Sequence, residues 1–170
     1  MDLFDAINAR RSVRSYLPDP VPADVLHRIV AAGVEAPSGF NLQLRQYVIV
    51  DDPALMDRIR PVSKALTGAP AAIVILVEPK AASNGMAFYI QDAAAAMENM
   101  LLAAVALAYA ACWVEGAVRS HEDLLRDALA VPDGLRVWSL MPVGKPAAAP
   151  PRPKKPDAAQ ITHHNRYGGT

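Results

Sequence analysis

The chain has 170 residues, 52% hydrophobic and 20% charged, with 17 basic residues against 17 acidic ones and a formal net charge of zero. That length suits one domain over 1–170, without room for separate cofactor and substrate domains, and the balanced charge disfavours both disorder and attraction to nucleic acid. The single cysteine, Cys112, excludes an internal disulfide framework, and Met1 to Arg11 lack the basic-then-apolar layout of a signal peptide, so a cytoplasmic protein is expected.

Leu3, Phe4 and Ile7 recur at helical spacing behind Asp2 and predict a short first helix ending near Arg10. Pro22 suits the first turn of a second helix whose face is Val25, Leu26, Ile29, Val30 and Gly33, and which stops before Pro37. Tyr47 to Val50 reads as a buried strand, Asp52 and Pro53 as the cap and first residue of a brief helix, and Ala72 to Val77 as a second buried strand. A long helix is expected over about Phe88 to Ala111. The most apolar stretch of the chain, Met100 to Val114, is shorter than the roughly 18 residues that suggest a membrane span, and its alanines suit close helix packing at a dimer core. Cys112 to Val114 predicts the start of a strand, Ser120 the cap of a helix through about Ala130, and Arg136 to Val143 a last strand. Strands alternating with helices imply an α/β or α+β fold. Beyond Gly144, five prolines punctuate an alanine-rich and basic segment, 145–170, which is expected to be extended and non-helical. Ile161 and Tyr167 give this arm apolar anchors for a partner subunit.

Two polar clusters stand out. Arg10, Arg11, Ser12 and Arg14 bring three guanidinium forks and a hydroxyl into one turn of a chain with no net charge, a donor set suited to phosphate oxygens. Pro37, Ser38, Asn41 and Gln43 sit between a helix and a strand, and their amides match a heterocycle with alternating N–H and C=O groups. Taken alone, a solvated cluster pairing with Asp5 or Asp19 accounts for the first equally well, and an ordinary turn for the second. Gly116, after Glu115 at a strand end, allows a backbone N–H to approach a planar ligand. Cys112 reads as a small buried hydrophobe, not a nucleophile. Adjacent His163 and His164 face opposite ways on an extended chain, so no metal site is expected. Neither G-x-G-x-x-G nor G-x-x-x-x-G-K-[ST] occurs, which disfavours a Rossmann site and a P-loop.

The order of these motifs resembles the nitroreductase family over nearly the whole chain. It is carried by Arg10 to Tyr16, Ala36 to Gln43, the helix with Asp92 and Glu98 to Ala104, Cys112 to Gly116, and Pro142 to Pro146. The resemblance implies an α+β fold: an α/β/α sandwich around a central, mainly antiparallel sheet, in an intertwined homodimer with FMN at each of two interface sites. It implies that Arg10, Arg11, Ser12 and Arg14 hold the phosphate and ribityl chain, and that Pro37, Ser38 and Asn41, with Gln43 in the same loop, reach the flavin from the other subunit. Glu115 and Gly116 would lie by the ring, with the Gly116 N–H near flavin N5. One or more of Arg152, Lys154 and Lys155 would return to the phosphate.

Two departures concern Leu44-Arg45, where many relatives have proline and tryptophan, and the short interval between Val77 and the long helix, which leaves little room for a lid. The implied activity is transfer of reducing equivalents from NADH or NADPH, through the flavin, to a nitroaromatic or quinone in a ping-pong sequence, with no catalytic side chain. A flavin enzyme of fragmentation or reductive dehalogenation and a non-catalytic FMN-binding module are the alternatives. Neither nucleic acid nor membrane is an expected partner.

Overall fold

A computed structural model describes residues 1–148 and 150–169. The central sheet is built from β1 (Arg45–Val50), β2 (Ala71–Val77), β3 (Ala110–Ala111) and β4 (Arg136–Gly144) in the order β1-β2-β4-β3, every neighbouring pair antiparallel. Strand β2 is buried along its whole length because both its faces are covered. Its side chains alternate between two cores, as a period of two requires. Ala72, Val74 and Leu76 point to one core, and Ala71, Ile73, Ile75 and Val77 to the other. Strand β1 is at an edge and only Val50 is buried, so the fully buried strand expected over Tyr47–Val50 is half-buried, and it begins two residues earlier.

On one face lie α2 (Ala23–Val34) and α4 (Tyr89–Ala106), sharing a core with Leu26, Ile29, Met97 and Met100. Gly33 lets them close together, since a Cβ there would stand 2.9 Å from the Met100 Cγ. On the other face lie α3 (Pro53–Ile59), capped by the Asp52 carboxylate as expected, and the pair α5 (Gly116–Ser120) and α6 (Glu122–Ala128). The helix expected to start at Ser120 is thus two helices, because the backbone breaks at His121 (φ −129°) and Ser120 closes the first of them. Against the register of β2, β4 carries one extra residue at Trp138, a bulge that turns its indole onto Tyr89 and under the Arg119 guanidinium.

Helix α4 ends at Ala106, not Ala111. Ala108 takes a left-handed conformation (φ 62°) and the Tyr109 N–H folds back to the Ala104 carbonyl, while Lys145 donates to the Ala108 carbonyl across the turn. This reversal frees Ala110 and Ala111 to join the sheet beside β4. Helix α1 (Leu3–Ala9) starts at the Asp2 cap as predicted, yet its buried residue is Ala6, and Leu3, Phe4 and Ile7 face outward. The segment after Gly144 has no helix among its described residues as far as Pro156, then makes the short helix α7 (Ala158–Ile161) under an Asp157 cap, contrary to the expectation of no helix. The prolines forbid helix only as far as they run, and the last is Pro156.

Candidate functional site

Where α1 ends, Arg10 leaves the helical conformation (ψ 128°) and the chain runs extended along the sheet. Ser12 bridges in parallel to Ala111, with the Val13 N–H on the Ala111 carbonyl at 3.0 Å. Tyr16 bridges to Pro146, with hydrogen bonds from the Leu17 N–H to the Lys145 carbonyl and from the Ala147 N–H to the Ser15 carbonyl. The buried Tyr16 hydroxyl donates to the Val13 carbonyl at 2.6 Å and locks the turn between them. Gly144 makes this fit possible, because a Cβ there would stand 2.8 Å from the Pro70 ring and 3.1 Å from the Tyr16 ring. The arginine loop is therefore stitched to β3 on one side and to the exit of β4 on the other.

The exit segment then passes the arginine loop and closes a cleft of about 340 Å³. Asn8, Arg10, Arg11 and Ser12 form one wall, and Pro150, Pro151, Arg152, Pro153 and Lys155 the other. Arg152 is tied across it by donating to the Asn8 side-chain oxygen at 3.2 Å. Arg11 is braced through one guanidinium nitrogen, which donates to the Asn8 and Arg10 carbonyls at 2.8 and 2.7 Å. Arg10 lies 3.4 Å from Glu98 of α4, so its ion partner is neither Asp5 nor Asp19. Four cationic side chains and a hydroxyl thus converge in a chain with no net charge, and what such a donor set holds is an anion with several oxygens.

Pro37, Ser38, Asn41 and Gln43 line no part of this cleft. They form a separate loop at the end of α2, in which Phe40, Asn41 and Gln43 all have positive φ (52°, 55° and 52°). Non-glycine residues reach that region only when their surroundings impose it. Here the Ser38 hydroxyl accepts from the Gln43 N–H, the Gln43 amide donates to the Asn41 side-chain oxygen, and the buried Asp92 carboxylate accepts from the Gly39 N–H at 2.9 Å. Arg45 donates to the carbonyls of Ala36 (2.7 Å), Pro37 (3.2 Å) and Asp92 (2.7 Å).

Glu115 precedes α5 and pairs with Arg119 at 2.8 Å. Gly116 is exposed, and a Cβ there would meet nothing within 4 Å, so its backbone faces open space. It lies five residues beyond Ala111, the partner of Ser12, which puts it within about 17 Å of Ala111 at full extension. Cys112 is buried beside this path. Burial pushes its thiol up, and Arg14, the Ser12 hydroxyl and Arg10 offset part of that, which leaves a poor nucleophile.

Of the thirteen residues singled out from sequence, Arg10, Arg11, Ser12, Arg152 and Lys155 come together in the cleft; Arg14 and Lys154 do not line it. Pro37, Ser38, Asn41 and Gln43 form the second group, and Glu115 and Gly116 the third. Asn8, which braces Arg152, gave no sequence signal, being an ordinary polar residue on a short helix. Among the described residues there is no cluster of His, Cys, Asp and Glu able to hold a metal ion, and no helix is long and apolar enough to cross a membrane.

The nitroreductase family model matches residues 7–67 and 63–145, the span that contains the arginine loop, the Ser38 loop and the Glu115-Gly116 turn. The chain belongs to the nitroreductase family. It is 31% identical over 145 residues, 82% of this chain and 83% of the other, to an Archaeoglobus fulgidus protein provisionally named NADH dehydrogenase/NAD(P)H nitroreductase. Its fold is similar to that of a Bacteroides fragilis nitroreductase with bound FMN (TM-score 0.79, 27% identity, covering 97% of this chain and 100% of that one). It is also similar to a Desulfovibrio desulfuricans protein, provisionally a nitroreductase, in complex with FMN (TM-score 0.82, 29% identity, 98% of each chain). A family member with this α+β fold is an oxidoreductase, and the expectation drawn from the order of its motifs holds.

Proposed function

We propose that this family member binds FMN and passes reducing equivalents from NADH or NADPH to a small planar acceptor of the nitroaromatic or quinone kind, working as a homodimer. The observation that carries the reading is the convergence of Arg10, Arg11 and Ser12 with Arg152 and Lys155 on one cleft. Its donors fit a phosphate monoester: the guanidinium forks match pairs of oxygens, the ammonium adds a point charge, and the hydroxyl a neutral donor. Names and bound FMN among similar proteins agree with that fit.

When bound, FMN supplies the hydride chemistry, and the protein's task is to hold and orient it. Arg10, Arg11 and Ser12 grip the phosphate from the sheet side and Arg152 and Lys155 from the exit segment. Lys154 stays in solvent, and Arg14 is directed to the ring end, where positive charge offsets negative charge. Pro37, Ser38, Asn41 and Gln43, which do not line the cleft, would come to the ring from the second copy. Glu115 and Gly116 would flank the ring, with no side chain at Gly116 and nothing within 4 Å of where its Cβ would stand. The eleven residues 78–88 between β2 and α4 leave little chain to cover the ring there, so the ring face stays open to varied planar acceptors.

Purified protein should be yellow, and acid release followed by chromatography should give one FMN per chain. Colourless protein whose apo form takes up no FMN would overturn the reading.

A further inference from the structure

We infer that Arg45 is a positioning residue for the flavin: it holds the Ser38–Gln43 loop in its binding shape before any cofactor arrives. The inference rests on the proposed role of that loop at the ring and deepens it.

Arg45 is the first residue of the edge strand β1 and is half-buried. Its guanidinium reaches back across the sheet edge to main-chain oxygens on two different elements. One nitrogen donates to the Ala36 carbonyl, and the other to those of Pro37 and Asp92. The first two carbonyls lie just past the end of α2, where a cation also meets the negative end of the helix dipole. The third lies in the first turn of α4. The same Asp92 receives the Gly39 N–H on its side chain, so α4 grips the loop from its start while Arg45 ties that turn of α4 to the end of α2.

The loop needs such a clamp. Three of its residues, Phe40, Asn41 and Gln43, are held in left-handed conformations that cost free energy without glycine, and the side chains of these three are exposed, so burial does little to hold them. Its internal bonds, Ser38 to Gln43 and Gln43 to Asn41, are exposed to competing water. The external restraints are the Asp92 carboxylate on Gly39 and the part-buried donors of Arg45, which fix the base of the loop to the same turn of α4 and cannot be copied by a point charge. A lysine has no planar fork to span two elements at once. Preorganisation of this kind acts on affinity, because a loop already in its bound shape pays no ordering cost on binding.

The test compares wild type, Arg45→Met and Arg45→Lys in three measurements: affinity for FMN, affinity for riboflavin, and amide hydrogen exchange of residues 39–43 in the apoprotein. Arg45→Met should weaken FMN and riboflavin alike, by roughly tenfold or more, because the loop addresses the ring and not the phosphate. Exchange in 39–43 should rise by a similar factor without any flavin present. Arg45→Lys, which keeps the charge and folds more readily, should show the same pattern to a smaller extent. Wild-type affinities in folded Arg45→Met, or unchanged loop exchange in both variants, would overturn the inference, even if thermal stability fell. Loss of FMN affinity alone, with riboflavin spared, would also overturn it. If wild type itself bound neither flavin, the proposed function would fail, yet the exchange measurement on the apoprotein would still decide whether Arg45 orders the loop.

Discussion

Arg11 carries the sharpest expectation about a single side chain. It is braced by two carbonyls and opens onto the cleft, so Arg11→Ala removes a charge-assisted donor without disturbing a buried core. FMN affinity should fall by about 1.5–3 kcal/mol, roughly tenfold to a hundredfold, with riboflavin nearly indifferent. Equal loss of both in a fluorescence titration would show that Arg11 does not read phosphate. Tyr16 tests the support beneath it. Burial raises its hydroxyl well above the usual value of 10, so the folded chain keeps the proton at a pH where the unfolded chain releases it. The stability this contributes is complete below about pH 10 and is lost as pH rises beyond it. Tyr16→Phe, which strips the Val13 carbonyl of its donor, should cost about 1–2 kcal/mol near neutral pH, and the gap from wild type should narrow in urea melts above pH 10. A constant gap across that range would contradict the assignment. At this scale the arginines and serine were legible because their chemistry is in the side chain. The Arg45 clamp was not, since its acceptors are main-chain oxygens that every residue carries, and Arg45 showed in the sequence only as a departure from its relatives.

Among the elements, β2 was the easiest to read, because a short, unbroken apolar run bounded by turn residues and rich in β-branched side chains suits a strand covered on both faces better than a helix. The end of α4 was the hardest. Alanine favours helix most strongly, so nothing in Leu107 to Ala111 signals a stop, and what ends the helix is tertiary: a left-handed Ala108, the Lys145 side chain and the pairing of Ala110 and Ala111 with β4. In the exit segment, sequence could not choose among Arg152, Lys154 and Lys155, because side-chain direction in an extended chain turns on a register that prolines leave open. The structure directs Arg152 and Lys155 into the cleft. A chain ended at Ala148 should therefore keep its circular dichroism, since the pairing of Tyr16 with Pro146 precedes the cut, but should lose at least about tenfold in FMN affinity with riboflavin unchanged. Undiminished FMN binding would remove the exit segment from the site.

For the molecule as a whole, Leu3, Phe4 and Ile7 are exposed, Leu3 lines with Ala6, Leu102 and Ala103 a groove of about 420 Å³, and Ile161 and Tyr167 of the arm are also exposed. So much apolar surface on a small chain calls for a partner, and sedimentation should find a dimer at every concentration at which flavin stays bound; a flavin-loaded monomer would contradict it. On the proposed reading, in which one ring face serves both substrates, initial rates should give parallel double-reciprocal lines, and Cys112→Ala, His163→Ala and His164→Ala should each keep turnover. Intersecting lines would mean that both substrates bind together. The cleft itself has a history written into its walls, for it joins residues 7–12 to residues 150–155. A ribosome makes the first of these well over a hundred residues before the second. The two walls are therefore joined only after the stretch between them, which holds the sheet and both cores, has been synthesised, so the cleft cannot close on an anion before then.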